Sequence, residues 1–315
     1  MSVARARVRS RAQLDYLGVQ RSIDDGSADE NLMLLREIGL ARIQLEIARG
    51  AASLTMPEAE ISQGDSGYEI VRRQPQPVED WNAQLSLMTG MAAADLMIGA
   101  KVGILRTMPL PQDFAVDRFR RQTKALGHAW LENQAYGDYL RGLTTTDPRD
   151  LAIMHAAGSL FRGAGYTAFD GSVPEGLEQA AVAASYAHTT APLRRLVDRF
   201  VLTVCEAISS GTEIPAWARE SLPDLPGLME HSGQLTSQFE HRALDAVEAA
   251  LLSTRVGETF EATVISLSKT GGSIQLADPA VTAHCNGRLV AGEVVRAKLV
   301  QADIASGVTT FELVS

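Results

Sequence analysis

The clearest periodic signal follows Pro192. Leu193, Leu196, Val197, Phe200, Val201 and Val204 recur at three- and four-residue steps, which predicts a helix with one buried face from Pro192 to about Ile208, closed by Gly211. Proline suits the first turn because its missing N–H is not needed there. A second helical pattern, Leu34, Leu35, Ile38 and Leu45, opens with a Ser27-x-x-Glu30 capping box and stops at Arg49-Gly50. A third and strongly apolar one runs from Trp81 to Ile98, with Ala92, Ala93 and Ala94 permitting close packing. Further helices are expected over Asp113 to Leu126, His128 to Leu143, Asp147 to Phe161 and Met229 to Leu252.

Strand-like alternation marks other segments. Arg5 to Arg9 alternate with Ala6 and Val8 and read as a first strand, and Lys101 to Thr107 read as another. Glu58 to Ile61 and Tyr68 to Arg72, joined through Gly64-Asp65-Ser66-Gly67, read as a hairpin. After Arg255 come five short alternating runs: Thr259 to Ser266, Gly272 to Leu276, Arg288 to Val290, Val294 to Gln301 and Thr309 to Val314. They suit a small OB-type barrel.

Length and charge narrow the function classes. The 315 residues, 45% hydrophobic and 21% charged, suffice for a sizeable core and more than one domain. A net charge of -9 argues against indiscriminate nucleic-acid binding, though not against a local basic channel. Cys205 and Cys285 lack zinc spacing and are expected to be reduced thiols of a cytoplasmic protein. The six histidines show no HExxH or other tight ligand cluster, and no apolar run reaches membrane-spanning length. Asp24, Asp25 and Asp29 read as a turn before a helix, and Arg118, Arg120, Arg121 and Lys124 as a solvated face.

The candidate chemistry lies at the start of the Pro192 helix. Arg194 and Arg195 stand where the helix dipole favours an anion, and free N–H groups with guanidinium forks suit a phosphate there. Asp198, four residues after Arg194, is expected to hold that side chain.

The order of these residues carries a resemblance. Tyr186, His188, Thr190, Pro192, Arg194, Arg195 and Asp198 are similar to the Tyr-x-His-Phe-Thr-Ser-Pro-Ile-Arg-Arg-Tyr-x-Asp signature of the ribonuclease II (RNB) exoribonucleases. The chain departs from it at Thr189, Ala191, Leu196 and Leu202; losing serine at Ala191 is expected to weaken the helix start. Ser10 to Tyr16 resembles the family's Ser-Lys-Ala-x-Leu-x-Tyr segment, a strand running into a helix. Ala83, Gln84 and Gly90 replace the paired glutamates and the asparagine of its Leu-Ile-Glu-Glu-Phe-Met-x-x-Ala-Asn helix.

The resemblance implies an α+β fold, a partial RNB nuclease domain followed by an OB-like barrel. The boundaries read as 1–212 for the nuclease portion, 213–254 for a helical connector and 255–315 for the barrel. It implies a 3′→5′ exoribonuclease that threads single-stranded RNA and releases nucleoside 5′-monophosphates, with no DNA or membrane partner expected. Arg194 then polarises the scissile phosphate as the catalytic arginine. Arg195 and Tyr16 line the RNA path, Gln84 lies near the last sugar, His188 and Thr190 contact RNA, and Tyr186, Pro192 and Asp198 support them. The family uses Mg²⁺, held by an Asp-x5-Asp-x-Asp-Asp cluster with no counterpart in this chain, so no metal ligand is expected among these residues. The metal ligands are then expected upstream of Met1, in a fragment or a reading frame begun too late; a shortened descendant is the other option. A non-catalytic RNA-binding or regulatory relative, or a partly unfolded product, stays open beside the enzyme. From Val256 onward the chain is poorly equipped to bind a strand: four cations (Lys269, Arg288, Arg296, Lys298) face six acids, and Phe260 and Phe311 are the only aromatics.

Overall fold

The computed structural model describes residues 1–54, 58–64, 67–158, 160, 163–276 and 278–314. In chain order the helices are α1 (Tyr16–Asp24), α2 (Glu30–Ala48), α3 (Pro77–Ala100), α4 (Asp113–Ala125), α5 (Tyr136–Arg141), α6 (Pro148–Ala157), α7 (Leu196–Ser210), α8 (Ala216–Ser221) and α9 (Leu225–Leu252). The strands pair as β1 (Glu58–Gly64) with β2 (Gly67–Arg73), β3 (Val102–Thr107) with β4 (Gly165–Asp170), and β5 (Glu178–Gln179) with β6 (Ala184–Ser185). The remaining five, β7 (Thr259–Leu267), β8 (Gly271–Leu276), β9 (Thr282–Asn286), β10 (Val294–Asp303) and β11 (Val308–Leu313), close a barrel. Two compact units emerge: Met1–Ser53, Gln76–Leu110 and Phe161–Gly233 form one, and Leu54–Pro75, Pro111–Leu160 and Gln234–Ser315 the other.

In the first unit α3 is the central element. Pro77 opens it four residues before the expected Trp81, and Glu79 accepts the Gln76 N–H at 2.7 Å in a capping box. Its buried face, including Ala94 and Met97, packs with Ile104 and Leu105 of β3 and with Val201 and Val204 of α7. Helix α2 meets α3 at Gly39, where a Cβ would stand 2.3 Å from the Trp81 Cβ, so only a bare backbone permits the approach. Trp81 and Val78 in turn seat Val19 and Ile23 of α1.

Several expectations change here. The first fifteen residues hold no strand; α1 starts at Tyr16, capped by Asp15, which accepts the Gly18 N–H. Asp29, not Ser27, caps α2 by accepting from the Leu32 N–H, because the carboxylate sits one residue before the first helical turn. Helix α2 ends as expected, at Arg49 followed by Gly50 with φ +77°.

The second unit carries the barrel, in the order β10-β11-β9-β8-β7, antiparallel throughout except for β11 with β9. Phe260 and Phe311 meet edge to face at 5.8 Å inside it, beside Ile274 and Leu299. Its third strand is Thr282–Asn286 rather than Arg288 to Val290: Ala283 and Cys285 alternate inward, and their small size hides the period. The β1–β2 hairpin forms as expected, from Glu58 opposite Arg73 to Gly64 opposite Gly67; its Asp65-Ser66 turn lies outside the described residues. The expected helix over His128 to Leu143 shrinks to α5. Its leading part instead folds the Trp130 ring against Phe119, Tyr136 and Tyr139, with Trp130 Nε1 donating to the Gln134 carbonyl. Helix α6 ends at Ala157, and Phe161, the end expected for it, lies outside the described residues.

Candidate functional site

One carboxylate organises the segment before α7. Asp198, in the first turn and fully buried, accepts the Ala191 N–H at 2.7 Å. It also accepts Arg195 Nε on Oδ2 at 2.9 Å and Arg195 Nη2 on Oδ1 at 2.8 Å. A two-pronged charged pair of this kind fixes both side chains. Arg195 takes an extended backbone (φ -118°, ψ 121°) and caps the helix, so α7 starts at Leu196 rather than Pro192. Residues 191–195 form a separate turn closed by the Arg194 and Arg195 N–H groups on the Ala191 carbonyl, at 3.2 and 2.9 Å. Arg199 Nε donates to the Pro192 carbonyl at 2.7 Å and ties the outer side.

This geometry corrects the expected pairing. The backbone break at Arg195 abolishes the four-residue helical relation between Arg194 and Asp198, and the carboxylate takes Arg195 instead. Arg194 is exposed, and among the described residues no hydrogen bond or ion pair engages its guanidinium. Ala191 does not cap α7, whose N-cap is Arg195, so the residue at 191 does not set the start of that helix; its N–H is taken by Asp198.

Behind the elbow stands an aromatic and basic cluster. His188 Nδ1 shares a hydrogen bond of 2.7 Å with the Tyr166 hydroxyl, and its ring meets the edges of Tyr166 and Tyr186 at 5.7 and 5.5 Å. Arg106 lies over the Tyr166 ring at 4.7 Å. Burial first, then the Arg195 and Arg106 charges, push the imidazole down to about 4 against the partial support of Asp198, so His188 is uncharged at neutral pH. Burial likewise raises the Tyr166 and Tyr186 hydroxyls, which keep their protons. Thr189 is buried, and its hydroxyl has no partner among the described residues, whereas Thr190 is exposed.

Helix α3 carries the elbow. The Ala187 N–H donates to the Gly90 carbonyl at 3.1 Å, and a Cβ on Gly90 would stand 2.2 Å from Tyr186 Cε2. Glycine at this position therefore lets the Tyr186 ring lie directly on the helix backbone.

Residues 258–314 match the family model of the RNase II-type exonuclease C-terminal S1 domain. Mycoplasma genitalium RNase R in complex with ribose-methylated single-stranded RNA is similar in structure over 95% of this chain and 53% of its own, with a TM-score of 0.80 and 14% identity. The chain carries the fold of the RNase II-type exoribonucleases. An active-site mutant of the Candida glabrata Dss1 exoribonuclease aligns at a TM-score of 0.73 and 13% identity, over 96% of this chain and 38% of its own. Yeast Ssd1, a pseudonuclease, aligns at 0.64 and 16% identity, over 86% and 35%. The chain thus spans about half the length of the RNase R structures it matches. No curated protein matches it by sequence. The resemblance read from the signature is borne out, as is a partial RNB domain followed by an OB-like barrel.

Within this RNase II-type fold the other site residues spread along α3. Tyr16 lies half-exposed on the rim of a cleft of about 310 Å³, lined also by Leu14, Leu32 and Val78, and its oxygen accepts from Asn82 Nδ2 at 3.2 Å. Gln84 is buried; its amide donates to Glu46, whose other oxygen accepts from the Ser53 hydroxyl at 2.5 Å, while Gln84 Oε1 has no partner among the described residues. Helical rise puts Asn82 and Gln84 roughly 12 and 9 Å along the axis from Gly90. Sequence reasoning missed Arg106 and Tyr166. The signal for Arg106 is a cation directly after the apolar run Val102 to Leu105, whereas Tyr166 sits in β4, which the sequence pattern does not reveal.

The elbow does not fit Mg²⁺. Asp198 is its carboxylate, and both oxygens are taken by Arg195 and the Ala191 N–H. Among the described residues, the one group of three metal-ligating side chains is His128, Asp147 and Asp150 in the second unit, which corrects the expectation that the histidines join no cluster. No helix among these residues is long and apolar enough to cross a membrane.

Proposed function

We propose that this chain is the strand-handling portion of a cytoplasmic 3′→5′ exoribonuclease of the ribonuclease II type. It acts on single-stranded RNA and yields nucleoside 5′-monophosphates. The observation that carries the reading is an exposed, unpaired Arg194 beside an Arg195 immobilised by Asp198. A free guanidinium on a rigid turn meets a backbone phosphate without reorganising, and stabilises charge on it as the bond breaks. Arg195, Tyr16, His188 and Thr190 line the path in this reading, and Gln84 lies near the terminal sugar. The nuclease portion is 1–212, the connector 213–254 and the barrel 255–315. The elbow offers Mg²⁺ no free carboxylate, so in this reading the metal ligands are residues other than those of the elbow.

The test is Arg194→Ala in a protein that includes the metal-binding portion. Turnover falls far more than RNA affinity if the group acts on the reacting phosphate; equal losses make it a plain binding arginine.

A second reading is a non-catalytic RNA-binding relative. The likeness to Ssd1, a pseudonuclease, favours it, as does the occupation of Gln84 by Glu46. Release of mononucleotides from labelled single-stranded RNA in Mg²⁺ eliminates that reading.

A further inference from the structure

We propose that His128, Asp147 and Asp150 form a binding site for a first-row divalent cation, best suited to Zn²⁺. The inference is independent of the exoribonuclease reading, because none of the three residues is among those that reading uses to meet RNA. One ligand atom from each lies within 4.8 Å of the others. That spacing suits a single ion shared by an imidazole nitrogen and two carboxylate oxygens.

Local structure holds each ligand from behind. Asp147 caps α6, taking the Arg149 N–H on Oδ1 at 2.8 Å and leaving its other oxygen available. Asp150 is buried in the first turn of the same helix. Its Oδ2 is anchored by the Thr144 N–H at 2.9 Å and the Thr144 hydroxyl at 3.3 Å, which turns Oδ1 toward His128 Nδ1. His128 is fixed through its backbone, whose carbonyl accepts the Tyr139 hydroxyl at 2.6 Å. Partners of this kind orient ligands and set affinity.

Charge and donor type select the ion. The N-terminus of α6 is a positive end and repels a cation, so the site needs both carboxylates, and it has them. An imidazole in the set disfavours Mg²⁺, which seeks octahedral oxygen, and favours Zn²⁺, Co²⁺ or Mn²⁺. The side chain of His128 is 42% exposed, which leaves a way in for the ion and room for water as the remaining ligand. Bound there, the ion clasps the segment before α5 to the start of α6.

The probe is Co²⁺ added to the untagged 315-residue chain, read by ligand-field absorption, with Zn²⁺ and then Mg²⁺ as competitors. Saturation at one ion per chain is expected, reversed by Zn²⁺ and unaffected by Mg²⁺. Asp147→Asn keeps an oxygen for the Arg149 N–H, so α6 stays capped and the fold is retained. It should weaken binding at least about tenfold, and His128→Gln should do the same. Absence of saturable absorption, or unchanged affinity in Asp147→Asn, overturns the site and leaves His128 and Asp150 as a structural hydrogen bond.

Discussion

Asp198 grips Arg195 through Nε at 2.9 Å and Nη2 at 2.8 Å, and the same carboxylate collects the Ala191 N–H. This pairing decides which of two adjacent arginines is free. The fixed Arg195 shapes the elbow, while Arg194 faces solvent. Asp198→Asn keeps the size and one acceptor but leaves the Arg195 charge partly buried without its counter-ion. Stability should fall by about 3 kcal/mol, read as a lower thermal midpoint, with RNA affinity falling too as the turn loosens.

Arg194→Ala separates binding from folding. The side chain is exposed and unpaired, so thermal stability should change by less than about 0.5 kcal/mol. Removing one phosphate contact should flatten the salt dependence of single-stranded RNA binding by about 0.7 in log–log slope. Anisotropy titrations at several salt concentrations read both the slope and the affinity. An unchanged slope would mean that Arg194 meets no phosphate.

His188 makes the first unit sensitive to acid. Its folded pKa of about 4 lies below the ordinary 6.5, so between these values the unfolded chain binds the proton and the folded one does not. The contribution is fully present above pH 6.5 and is lost as pH falls toward 4, an effect of about 2 kcal/mol for a ring not wholly sealed from solvent. Urea denaturation from pH 7 to 4 should therefore show a shallower decline for His188→Gln than for the parent.

Gly90→Ala tests the seat of the elbow. The added carbon would stand 2.2 Å from Tyr186 Cε2 and 2.5 Å from the Ala187 carbonyl oxygen, and that backbone cannot yield cheaply. A loss of about 2–3 kcal/mol is expected in thermal unfolding, with His188 accessibility rising as Tyr186 is displaced.

Much of this architecture is legible in the sequence because periodic apolar residues dominate it. Helices α2, α3 and α7 show through Leu34 and Ile38, the alanine-rich run, and Val197 to Val204; β7, β8, β10 and β11 show through alternation. Where inward positions are small or mixed, the period vanishes. Ala283 and Cys285 conceal β9, and Thr167 and Ala168 conceal β4. The signature identified the arginines and their helix but not which one Asp198 would take. That choice depends on a backbone break at Arg195, and counting residues along an assumed helix cannot reveal it. Gln84 was hidden for a similar reason, since its partner Glu46 lies on another helix.

That partnership yields the last prediction. Restoring the glutamate of the related family by Gln84→Glu would set a second carboxylate against Glu46, which already receives the Ser53 hydroxyl at 2.5 Å. Burial already disfavours a charged carboxyl nearby, since Asp80 is raised by burial first and then by Glu79 and Glu46. One of the two buried carboxyls must keep its proton, so its folded pKa rises above the unfolded value. A group shifted in that direction contributes its stability below the unfolded pKa and loses it as pH rises through the folded one. Gln84→Glu should therefore match the parent near pH 4 and fall behind it by about 2 kcal/mol at pH 8 in urea denaturation. Equal stability at both pH values would show that a neighbouring cation such as Arg49, which feels the Glu46 charge, neutralises the new one, and a carboxylate would then be tolerated where relatives use one.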